Sequence, residues 1–121
     1  MGSRLKPLVW LAGSKKSFLT FPAAVVGDVG HALYLAQCGE KPPNAKPLKG
    51  FGGASVLEII EQHDGDTYRA VYTVRFEDAV YVLHCFQKKS KSGVATPPQD
   101  TELIKSRLKA AEEESTKWLE K

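Results

Sequence analysis

At 121 residues, 42% hydrophobic and 26% charged, the chain has the size and composition of a single globular domain, 1–121, with a core of its own. Its net charge of +3 permits a polyanionic partner without demanding one, so where the cations fall matters more than their sum. No run approaches the roughly 20 apolar residues of a membrane span, the apolar patch at Leu8–Ala12 is too short for a signal peptide, and Cys38 and Cys85 form neither a CxxC pair nor a zinc spacing; the expectation is a cytoplasmic protein with two reduced thiols, no metal, no cofactor and no membrane contact.

Residues 5–12 (LKPLVWLA) read as a first strand, edge-like because of Pro7. Ser14 or Ser17 caps a short helix. After Pro22 a longer helix runs over 23–37, with Val26, Val29, Leu33 and Ala36 on one stripe and Gly39 as its stop. The stretch 40–53 (EKPPNAKPLKGFGG) is too rich in breakers for a regular element and reads as a long functional loop. Residues 55–62 form a second strand and 63–66 a turn. Strands over 67–76 and 79–86, joined at Glu77-Asp78, complete an antiparallel meander. Pro97-Pro98 opens a final helix. Ile104, Leu108, Ala111, Ser115 and Trp118 make its inner stripe, and Lys105, Arg107 and Lys109 lie among its polar positions. The order is β-α-α-β-β-β-α, an α+β fold of helices on one antiparallel sheet.

The cations cluster in three places: Lys46 and Lys49 in the long loop, Arg69 and Arg75 in the third strand, and Lys88, Lys89 and Lys91 after the fourth. An arginine grips a phosphate with a planar fork and a lysine supplies a mobile point charge. Such contacts hold nucleic acid without reading its bases. A solvated rim that guards a sheet edge explains the same residues equally well. Alternation places Arg69, Val71, Thr73 and Arg75 on one face, with Arg69 and Lys88 at the surface, and puts His84 on the face of Val80 and Lys88. Histidine suits proton transfer near neutral pH, although one between apolar neighbours is more often a satisfied structural residue. Glu58 and Asp66 either orient Arg69 or form plain surface pairs. The glycines of KGFGG lack the spacing of a phosphate-binding P-loop.

The motifs PLKGFGG (47–53), VLEI (56–59), YRAVYTV (68–74), VYVLHCFQKKS (80–90) and ELIKSRL (102–108), in this order, resemble the RelE/ParE toxin superfamily of type II toxin–antitoxin modules, and most closely its phage-derived, HigB-like branch. That resemblance implies a twisted antiparallel sheet with two N-terminal helices and a C-terminal helix. It also implies a ribosome-dependent messenger-RNA endoribonuclease that inhibits translation without a metal, by attack of a ribose 2′-OH on the adjacent phosphate. Carried onto this chain, Arg69, His84, Lys88 and Lys89 become the catalytic candidates. Lys46, Lys49, Arg75 and Lys91 become the RNA-binding ones. The chain departs from RelE-like enzymes in having Glu58 and Ile60 where they place lysines, and Trp118 where they place a tyrosine. The implied partners are the ribosome, messenger RNA and a cognate antitoxin of helix-turn-helix type, without direct DNA binding by this chain. The alternative within the superfamily is a ParE-like toxin that poisons DNA gyrase.

Overall fold

The computed structural model describes residues 5–88 and 96–119. Its elements are β1 (Leu8–Trp10), α1 (Ser14–Phe18), α2 (Ala23–Gln37), β2 (Ala45–Pro47), β3 (Val56–His63), β4 (Asp66–Thr73), β5 (Val80–Lys88) and α3 (Pro98–Leu119). The sheet has five strands in the order β1-β5-β4-β3-β2. Two expectations are corrected here. The breaker-rich stretch contains a short strand after all, since β2 pairs with β3 through Ala45↔Ile59 and Pro47↔Leu57. A proline is tolerated there because β2 is an edge strand with one side unpaired. The sheet is also mixed: β1 runs parallel to β5, with Leu8 opposite Val80. Parallel neighbours need a long connection, and here everything from α1 to β4 lies between them.

Local chemistry sets the boundaries. Helix α2 ends in a Schellman arrangement: Gly39, at φ +87°, donates to the Ala36 carbonyl, and the Glu40 amide donates to Leu35. The β3–β4 hairpin turns through Asp64 and Gly65, both at positive φ, which is the Asp-Gly pattern of a two-residue type I′ turn. Strand β4 stops at Thr73, three residues before the expected end. The Thr73 hydroxyl there donates to the Ser55 carbonyl and accepts from the Arg75 amide.

Helices cover both faces of the sheet. On one, α1 and α2 bury Phe18, Val25, Val29 and Leu33 against Leu57, Ile59, Tyr72 and Val82. A run of ring contacts from Trp10 through Phe18 and Phe21 to Tyr68 seals its margin, with centroids 5.0–6.1 Å apart. On the other face α3 lays Ile104 and Ala111 on Val56, Val71, Tyr81 and Leu83. Full burial of side chains of this size is worth about 1.5–3 kcal/mol each. One turn beyond Ala111 on α3, the Ser115 hydroxyl donates to Asp78 at 2.6 Å while the Tyr81 hydroxyl donates to the other oxygen. Among the described residues no helix is long and apolar enough to cross a membrane.

Candidate functional site

A single extra residue decides which way His84 in β5 points. Tyr72 pairs with Val82 and Val71 with His84, leaving Leu83 as a bulge. Leu83 and His84 consequently both face α3, and strict alternation, which put His84 with Val80, is overturned. Cross-strand partners share a face, so Glu58, Val71 and His84 form one row across β3, β4 and β5, with Ile60, Arg69 and Phe86 as the next. At the usual strand spacing the Cα atoms of Glu58 and His84 lie about 10 Å apart. Arg69 is in the adjacent row between them. The Phe86 ring stacks on His84 at 4.7 Å.

Arg69 is only 4% exposed, and its Nη1 lies 3.1 Å from the Glu58 carboxylate, itself 3% exposed. The expectation of a surface arginine is therefore corrected. The phase of β4 turns Arg69 toward the α3 face, and the neighbouring strand supplies an acid that makes its burial tolerable.

Helix α3 brings the remaining polar groups. Asp100, in its first turn, accepts from His84 Nε2 at 2.7 Å. Arg107, two turns on, donates to the Leu83 carbonyl at 2.9 Å and approaches His84 Nδ1 at 3.3 Å. These partners assign the proton to Nε2 and leave the Nδ1 lone pair facing Arg107. Burial pushes the His84 pKa below its ordinary 6.5. Arg107 adds to that push, and Asp100 opposes it. Beside the Glu58–Arg69 pair opens a cleft of about 330 Å³, lined by Lys46, Leu48, Lys49, Glu58, Thr96 and Thr101. Lys46 is the cross-strand partner of Glu58, and both lysines are exposed.

Arg69, His84, Lys46 and Lys49 thus share one face, and the register gives Lys88 the same face opposite Thr67. Arg75 is drawn away from them: its Nε donates to Ser55 Oγ and its Nη2 to the Phe51 carbonyl, stapling the glycine-rich loop. Lys89 and Lys91 lie outside the described residues. Asp100 and Arg107 were missed as site residues: Arg107 lies between the exposed Lys105 and Lys109 in sequence, and the signal that could have found it was its spacing of three and four from the buried Ile104 and Ala111. Glu58 was legible only as a possible partner of Arg69. Among the described residues no cluster of His, Cys, Asp and Glu could hold a metal.

An acid, an arginine and a histidine thus converge on one sheet face, beside a cleft edged by two exposed lysines. The chain belongs to the family described as "Phage derived protein Gp49-like (DUF891)", which residues 16–109 match. Among solved structures it is similar to a chain of the toxin–antitoxin complex RelBE2 from Mycobacterium tuberculosis, at 16% identity and a TM-score of 0.47, over 70% of this chain and 93% of that one. No curated protein matches the chain.

Proposed function

We propose that this single-domain protein is the toxin of a toxin–antitoxin pair, of the phage-derived HigB-like branch, and that it cleaves messenger RNA on the ribosome by metal-independent attack of a ribose 2′-OH on the adjacent phosphate. The observation that carries this reading is the placement of Glu58 and His84 at the two ends of one row, with Arg69 between them in the next row, beside the cleft edged by Lys46 and Lys49. The phosphate enters past the lysines and takes the Arg69 guanidinium from Glu58. The freed carboxylate accepts the 2′-OH proton, and the 2′-oxygen bonds to phosphorus. Arg69, the rim lysines and Lys88 stabilise the charge on the phosphorane. Protonated His84 delivers a proton to the departing 5′-oxygen, leaving a 2′,3′-cyclic phosphate and a free 5′-OH. Delivery from Nδ1 requires Arg107 to move off that nitrogen. Lys89, Lys91 and Arg75 extend the hold on the RNA backbone. The protein acts in the cytoplasm, and its partner is an antitoxin of helix-turn-helix type that supplies the DNA binding this chain lacks.

The burial of Arg69 favours a second reading, a ParE-like toxin that poisons DNA gyrase and uses the exposed cations as a protein interface. Expression in growing bacteria separates the two. Transcript ends mapping to codon positions, lost in Glu58→Gln and His84→Ala, support cleavage. Growth arrest with whole transcripts and an induced DNA-damage response sinks it.

A further inference from the structure

The face opposite the cleft holds a second cavity, of about 360 Å³, between the C-terminal end of α2 and strands β2 to β4. Pockets that hold small molecules run from roughly 300 to 1,000 Å³. Its walls include Ala36, Leu57 and Val74, and Tyr72 lines it as well. Tyr72 is 1% exposed. Among the described residues nothing hydrogen-bonds its hydroxyl, yet that oxygen is not sealed from solvent. Only a small part of the residue therefore meets the cavity. Hydroxyls this deep normally have a partner, because leaving one unmatched is costly. Burial holds the phenol up to about 12, so it stays a neutral group able to donate and accept.

The rim carries two ammonium groups and one carboxylate, Lys6, Lys41 and Glu40. Lys41 uses one hydrogen on the Ala45 carbonyl, at 2.6 Å, and keeps two for a ligand. One surplus positive charge at the mouth, apolar walls and a lone hydroxyl inside match a monoanion with a polar far end.

We propose that this cavity is a binding site for a small aromatic monocarboxylate whose ring enters between Leu57 and Val74, whose far polar group meets the Tyr72 hydroxyl and whose carboxylate meets Lys6 and Lys41. The site shares neither Glu58, Arg69 nor His84 with the ribonuclease reading and stands if that reading falls.

The test is a titration of the whole protein, followed by amide NMR, with 4-hydroxyphenylacetate, phenylacetate and 4-hydroxyphenylacetamide. The first probe should produce saturating shifts at Gly39, Lys41, Ala54 and Val74. The second, which lacks the ring hydroxyl, and the third, which lacks the charge, should each bind about three- to tenfold more weakly. In Tyr72→Phe, which removes an unpartnered hydroxyl and keeps the ring, the first two probes should bind alike. Absence of saturable shifts with any probe overturns the proposal, as does equal affinity for all three in the unaltered protein. Shifts centred on Lys46 and Lys49 overturn it too, since they would report plain anion attraction to the other face.

Discussion

Glu58 and Arg69 form an ion pair at 3.1 Å with side chains 4% and 5% exposed, on neighbouring strands in the middle of the sheet. Removing one partner leaves the other charge buried alone, so Arg69→Ala should destabilise the domain by about 3–5 kcal/mol. Urea denaturation of Arg69→Ala, Glu58→Ala and the double variant should show the double losing clearly less than the sum of the singles. Additive losses would mean that the two groups are not coupled. Glu58→Gln keeps an acceptor for the guanidinium and should fold, which makes it the better probe of cleavage.

His84 gives a pH dependence with a definite sign. Its folded pKa lies below the ordinary 6.5, so just under pH 6.5 the unfolded chain binds a proton that the native one refuses. The contribution is fully present above pH 6.5 and is lost as the pH falls through the folded pKa. An NMR titration should find the His84 midpoint below 6.5, rising in Arg107→Met and falling further in Asp100→Asn. A midpoint that ignores both substitutions would show that α3 does not set the state of this ring.

The rim lysines should behave in the opposite way to the buried pair. Lys46 and Lys49 are exposed, and replacing both with alanine should change stability by no more than about 0.5 kcal/mol. Single-stranded RNA should nevertheless bind more weakly, with a shallower dependence on salt. An unchanged salt slope would remove the cleft from the path of the RNA.

Two glycines of the α2 region should respond with opposite signs. Gly39→Ala forces a side chain into φ +87° and should cost about 1–2 kcal/mol. Gly27 is exposed inside α2 with open space around its Cα, and Gly27→Ala should stabilise by up to about 1 kcal/mol. Thermal melts of the two variants shifting in the same direction would contradict the assigned helix end.

How much of this was readable in the chain depends on the range of the force concerned. Helix α2 was legible from Ala23 to Gln37, because Pro22, Gly39 and the apolar stripe are local signals. The turn at Asp64-Gly65 was legible for the same reason. Strand β2 was hidden, since three residues ending in proline pair only because β3 lies beside them. The direction of β1 was hidden as well, because LVW carries no mark of its partner. The face of His84 depends on the bulge at Leu83, and no residue type there announces it. Arg69 was visible as a cation, but its depth depends on Glu58 eleven positions earlier and on a helix that arrives some thirty positions later.

Because β5 separates β1 from β4, β1 is synthesised about seventy residues before the strand it pairs with among the described residues. At synthesis rates of roughly 5–20 residues per second, the nascent chain waits several seconds with Leu8, Val9 and Trp10 unpaired. During that interval a binder of the emerging amino-terminal segment competes with β5 itself, and would arrest maturation before the row of Glu58, Val71 and His84 is ever assembled.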